Sequence, residues 1–227
     1  MKVIHLSDLH FNQSIFHWVK ERESTFDVIC LTGDFLDLSN KALLSPQDQV
    51  EWIISFLNSL DKPVLLCSGN HDVVEGDVND ISLENLFNID GMESGYEIEQ
   101  DTSDEYSWLR DASIDGGYLD GFVGEIDGII FGCMPYLAEN FRRYRDCDVL
   151  LRHVPPSKTK VSVGDDGDYG CEVFAAEIKY GQLRPKYVLC GHIHQPTSQV
   201  DELCGVKLLN PGFGFKGGEP KHILFEV

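Results

Sequence analysis

Short apolar runs punctuate the first two-thirds of the chain, and each stops at a polar residue. Residues 2–7 read as a buried strand ending at Asp8. Ile15, Phe16 and Val19 continue as a helix to about Glu23, and a second strand over 27–32 ends at Gly33-Asp34. Ser45-Pro46-Gln47-Asp48 carries the marks of a helix start: a capping hydroxyl, a proline at the first position and an acid three residues on. Val50, Ile53, Ile54, Leu57 and Leu60 give that helix one apolar face, and Lys62-Pro63 breaks it. A third strand, 64–67, ends at Ser68-Gly69-Asn70. Further on, the pattern predicts a helix near 80–88 and a hairpin of 122–126 with 129–134 about Asp127-Gly128. A strand over 148–152 precedes His153, 155–170 reads as a surface loop, and a helix over 171–182 leads to a strand over 186–190 before Gly191-His192. The tail predicts two antiparallel strands, 206–209 and 222–227, joined by the glycine-rich loop 212–218.

Asp8, Asp34, Asn70, His153 and His192 thus each lie just past the end of an apolar strand. Ligand sites in α/β sheets form at the carboxyl ends of strands, so five separate segments converge on one rim. The alternation of strand and helix followed by strand-only segments predicts a two-sheet core with helices outside.

With 227 residues and 42% hydrophobic composition the chain fits a single domain, 1–227. No apolar run approaches the roughly eighteen residues of a membrane span. Asp8 and His10 interrupt the N-terminal run before a signal-peptide core forms, so a cytoplasmic protein is expected. The seven cysteines, with no C-x-x-C pair, agree: they suit neither a disulfide framework nor a zinc ribbon. Net charge is −20, and residues 73–127 hold sixteen acids against Arg110 alone. We read 73–117 as an acidic insertion or lid with a solvated face. Such a surface repels polyanions and weighs against nucleic acid as a partner, while a small phosphate ester meeting a locally positive site remains compatible.

The polar residues at the strand ends suit metal chemistry. Asp8-Leu9-His10 sets a carboxylate and an imidazole at alternate positions, where both can grip one ion. Gly33-Asp34-Phe35-Leu36-Asp37 offers a carboxylate able to bridge two cations. Gly69-Asn70-His71-Asp72 places a neutral oxygen beside an imidazole, and Gly191-His192-Ile193-His194 supplies two more imidazoles. His153 stands before Val154-Pro155-Pro156. Five of the eight histidines fall in these segments; His5, His17 and His222 read as ordinary strand or helix residues. Arg142, Arg143 and Arg145 read as a solvated face, whereas Arg152, Lys158 and Lys160 are candidates for substrate contact.

The ordered set D-x-H, G-D-x-x-D, G-N-H-D, a later His and G-H-x-H resembles the calcineurin-like metallophosphoesterase superfamily over Asp8 to His194. The H-x-P-P segment and the loop after it look like a group of small bacterial and archaeal members. Asn210-Pro211-Gly212 resembles a turn common near the end of such chains. The resemblance implies a four-layer α/β/β/α sandwich of two mixed β-sheets flanked by helices. It also implies two divalent metal ions. Asp8, His10 and His194 would hold the first, Asn70, His153 and His192 the second, and Asp34 would bridge them. His71 would face the leaving group, with Asp37, or its rival Asp72, orienting it.

Two cations roughly 3.5–4 Å apart need anions between them, which Asp34 and a shared hydroxide would supply. Nitrogen and oxygen ligands without thiolate suit Mn²⁺, the leading choice, or Fe, Zn, Ni or Co. The expected activity is hydrolysis of a small phosphomonoester or phosphodiester, such as a nucleotide or cyclic nucleotide, by the bridging hydroxide. A metal-dependent nuclease and a non-catalytic scaffold on the same fold are the alternatives. Leu38 stands where protein Ser/Thr phosphatases carry an arginine, which disfavours that branch.

Overall fold

The computed structural model describes residues 1–74, 106–110, 112–138 and 140–227; the helix expected near 80–88 and most of the acidic segment lie outside these. In chain order the strands of the two large sheets are β1 (Lys2–Ser7), β2 (Val28–Thr32), β3 (Val64–Cys67), β4 (Gly117–Tyr118), β5 (Val123–Ile126) and β6 (Ile129–Cys133). There follow β7 (Val149–Leu151), β8 (Tyr187–Leu189), β9 (Val200–Leu203), β10 (Val206–Leu209) and β11 (Ile223–Glu226). Helices α1 (Gln13–Arg22), α2 (Pro46–Leu57) and α3 (Glu172–Lys179) complete the frame. One sheet runs β11-β1-β2-β3-β4 and the other β9-β10-β8-β7-β6-β5. Both are mixed: the inner strands are parallel, and β11, β9 and β5 join antiparallel.

Side-chain alternation sorts the core into layers. Ile4, Leu6, Ile29, Leu31, Val64 and Leu66 face α1 and α2, where they meet Phe16, Val19, Ile53 and Leu57. Their odd-even neighbours Val3, Val28, Cys30, Leu65 and Cys67 pack instead against Phe131, Val149, Leu151, Leu189 and Leu209 of the second sheet. Leu150, Val188 and Leu208 turn to the outer side, onto Phe174 and Ile178 of α3. The order is therefore α/β/β/α, the expected sandwich. Among the described residues no helix is long and apolar enough to cross a membrane.

Register decides what this frame presents. Ser7 pairs with Thr32 and Thr32 with Cys67, so β1, β2 and β3 end side by side. In the other sheet Leu151 pairs with Leu189 and Leu189 with Leu209. The residues following these strands all emerge on one rim.

One expectation fails. Residues 206–209 and 223–226 do not pair; they belong to different sheets. Strand β10 finds its antiparallel partner in β9, through a tight turn at Cys204 and Gly205 with φ of +51° and +85°. That turn lacks the usual Asn-Gly signal, and Val-Asp-Glu-Leu is too polar to announce a strand. Strand β11 instead covers the open edge of β1. The expected surface loop 155–170 is also partly buried, at Pro155, Pro156, Ser157, Thr159, Val161 and Ser162, because Val161 packs into the core beside α3. It contains a two-residue ribbon, Val163–Gly164 with Gly167–Asp168.

Helix α2 starts as expected, with Ser45 Oγ accepting from Asp48 N at 3.1 Å. Its buried Gln49 ties down the loop that carries Asp37. The side-chain oxygen accepts from Asp37 N at 2.8 Å, and Nε2 donates to Asp37 O at 2.9 Å and Leu44 O at 3.1 Å. Replacing Gln49 by Leu leaves three part-buried backbone groups without this partner and is expected to cost about 1–3 kcal/mol. Urea unfolding should show a lower midpoint at unchanged slope, whereas exposed Glu51→Gln should shift stability by less than about 0.5 kcal/mol.

Candidate metal centre

The loops leaving β1 and β2 are laced together by backbone bonds: Asp8 N to Gly33 O (3.1 Å), His10 N to Asp34 O (2.8 Å) and Phe11 N to Phe35 O (2.7 Å). To make these bonds the chain enters the left-handed region at Asp8, His10 and Asp34, with φ of +55°, +42° and +53°, and again at His192 with +67°. Non-glycine residues rarely adopt this conformation, and it concentrates where a site over-determines it. Two glycines create the space. At Gly33 (φ +74°) a Cβ would lie 2.5 Å from His153 Nδ1, and at Gly191 it would collide with Ser7 Oγ and approach Asp8 Oδ2 to 2.6 Å.

Donor atoms of Asp8, His10, Asp34 and His194 all lie within 4.8 Å of one another. His10 Nε2 and His194 Nε2 face each other at 3.1 Å, and His194 Nε2 is 3.5 Å from Asp8 Oδ1. On the other side of Asp34, Asn70 Oδ1 lies 3.2 Å from His153 Nε2 and 2.9 Å from His192 Nδ1. The Asp34 Oδ2 atom is 3.4 Å from His153 Nε2 and 3.9 Å from His10 Nε2. His153 Nδ1 donates to Thr32 O at 2.8 Å, which fixes its ring and leaves Nε2 pointing inward. Converging imidazole nitrogens and buried carboxylates, without thiolate, fit a divalent ion of the transition series.

Charge within the cluster is strongly coupled. Burial pushes the Asp34 carboxyl upward, but the His153 charge and hydrogen bond outweigh it and hold the group well below the ordinary range. Asp8 is likewise held low against burial by His194 and His153. For His153 burial opposes protonation, yet the Asp34 charge and hydrogen bond raise the imidazole to about 9.

His71 turns its ring toward the same rim, 4.8 Å from the His10 ring by centroid, and its Nδ1 is buried with no hydrogen-bond partner. Asp37 is half-buried and accepts from Ser39 N at 2.9 Å. Asp72 is wholly buried and faces away: it accepts from Phe35 N (3.0 Å), Gly69 N (2.9 Å) and Trp108 Nε1 (3.2 Å). Its role is to pin the two loops together.

Residues 1–196 match the family of calcineurin-like phosphoesterases. The chain belongs to that family. A solved structure from Thermus thermophilus, TT1561, superposes with a TM-score of 0.57 at 11% identity, covering 93% of this chain and 88% of that one. A second crystal structure gives 0.61 at 15% identity, covering 93% and 90%. At such identities the likeness concerns the fold alone. No curated protein matches in sequence.

Arg152 does not reach the rim. Its guanidinium lies between Phe141 and Phe174 at 4.8 and 4.9 Å, on the α3 side of the sheet. Strand alternation carries that signal, because Leu150 faces the same way. Lys158 pairs with Glu172 on the surface at 3.2 Å, and Arg142, Arg143 and Arg145 are solvated as expected. Sequence reading missed Thr32, whose carbonyl orients His153, and Phe213, whose ring lies on His10 and His194.

If His153 takes part in holding a cation, its raised pKa makes uptake proton-linked. The Asp34 charge favours the protonated imidazole, and a cation held at Nε2 would displace that proton. Apparent affinity should therefore rise about tenfold per pH unit between pH 7 and 9 for one proton released. Calorimetric titration in buffers of different ionisation enthalpy measures that proton directly.

Proposed function

We propose that this calcineurin-like phosphoesterase is a dinuclear metal-dependent hydrolase of a small phosphomonoester or phosphodiester, with nucleotides and cyclic nucleotides among the substrates that fit. The observation that carries the reading is Asp34 Oδ2, one buried oxygen standing between His10 Nε2 at 3.9 Å and His153 Nε2 at 3.4 Å. Asp8, His10 and His194 would hold one ion and Asn70, His153 and His192 the other, with Asp34 shared. Manganese is the ion we expect, with iron, zinc, nickel and cobalt the alternatives. When bound, the pair supplies Lewis acidity and water activated near neutral pH.

The chain's own residues do the rest. Two carboxylates against two dications would leave the rim positive inside a protein of charge −20, and a phosphate would be drawn to this place. The partnerless Nδ1 of His71 is buried, which leaves Nε2 as the nitrogen to protonate the departing alkoxide. Asp72 is occupied by three donors, so Asp37 is the acid left to act on His71, through charge and without a hydrogen bond; its carboxyl is held low by Ser39 and, more weakly, by His10 and His71. A reducing compartment such as the cytoplasm suits the seven free thiols.

The test is metal analysis with assays on p-nitrophenyl phosphate, its bis-ester, cyclic nucleotides and single-stranded DNA. Manganese-loaded protein should hold two ions per chain and turn over at least one small ester. His71→Ala should lower kcat by about 10²–10⁴ without loss of metal, and Asp34→Asn should lose metal. No turnover on any ester sinks the enzymatic reading. Full activity with one ion per chain overturns the dinuclear one, and preferred cleavage of DNA overturns the small substrate.

A further inference from the structure

The glycine-rich loop after β10 brings an aromatic ring to the metal centre. Asn210 is buried and its Nδ2 donates to Val161 O (3.1 Å), Gly191 O (2.9 Å) and Ile193 O (3.3 Å), while its Oδ1 accepts from Gly212 N at 2.8 Å. Phe213 N then donates to His194 O at 3.0 Å. These bonds fix the Phe213 ring 5.1 Å from the His194 ring and 5.3 Å from the His10 ring by centroid, tilted 47° to the first and 87° to the second. Phe213 is half-buried, so part of it remains open beside the cluster. His71 packs on the same His10 ring at 4.8 Å. Lys216 and Lys221 flank the loop, a positive margin on an acidic protein.

A phenyl ring has nothing to offer a metal or a phosphate oxygen. It can take a planar apolar group by stacking. His71 and Phe213 both pack on the His10 imidazole, so an ester whose leaving oxygen meets His71 has Phe213 near it. We propose that Phe213 is a specificity residue that stacks on a planar aromatic or heteroaromatic ring carried by the substrate's alcohol. This rests on the phosphoesterase reading and deepens it: the substrate class becomes aryl-bearing or nucleoside phosphate esters rather than small aliphatic ones.

Binding of uncleavable phosphonates separates the two ideas, because it needs no turnover. Calorimetry on the full, manganese-loaded chain compares benzylphosphonate with methylphosphonate. Wild type should bind the benzyl compound about tenfold tighter, which is about 1.4 kcal/mol. Phe213→Ala should cut that ratio to about two, and Phe213→Trp should keep it near ten. If the alanine variant fails to fold, Phe213→Leu, with bulk but no ring, should lower the ratio about threefold. Equal affinities in wild type overturn the proposal, as does a ratio unchanged in both Phe213→Ala and Phe213→Leu. Tyr136, whose ring lies 6.3 Å from that of His153, is the rival aromatic at this rim. Loss of the preference in Tyr136→Leu with retention in Phe213→Ala overturns the proposal too. Absence of turnover with the ratio intact would count against the phosphoesterase reading alone.

Discussion

A buried carboxylate must be paired, and the arrangement of this rim follows from how Asp34 is paired. Its oxygens meet His153, His10 and the backbone N–H of His71, three groups from three segments of the chain. An unpaired charge at this depth would cost several kcal/mol. Those segments are therefore bound to one another through the carboxylate, even before any cation arrives. The same pairing holds the Asp34 carboxyl low and raises the His153 imidazole.

Such a cluster demands backbone geometry that short peptides would not adopt. The left-handed φ values of Asp8, His10, Asp34 and His192 account for four of the eight such non-glycine residues among those described. The two sheets sustain this strain, because the in-register ends of β1, β2 and β3 and of β7, β8 and β10 leave the loops little freedom. Asp72, Gln49 and Asn210 act in the same sense. Each is a buried polar side chain whose bonds go mainly to backbone groups of neighbouring loops, so rigidity passes from the core outward to the rim.

Much of this was legible from residue order. Strands β1, β2, β3, β7 and β8 announce themselves as apolar runs, and the polar residue after each is a candidate ligand because a strand end in a parallel sheet is where chemistry gathers. The tail was less legible. The β9–β10 hairpin is local but is hidden by a polar strand and a turn without the usual signal. The pairing of β11 with β1 depends on which sheet edge is open, and that answer lies up to 226 residues away. Arg152 was misread for a different reason. Its charge suggested substrate, while its place in the alternation sent it outward between two phenyl rings.

By itself the sequence determined which side chains could serve as ligands and that they would stand at strand ends, since both follow from local chemistry and period-two burial. Tertiary structure alone decided which atoms face which. The 3.1 Å approach of His10 to His194, the inward Nε2 of His153 and the placing of Phe213 over two imidazoles join residues as many as 203 positions apart. Contacts of that span exist only after sheet register, loop strain and core packing have been settled together, and no local pattern along the chain contains them.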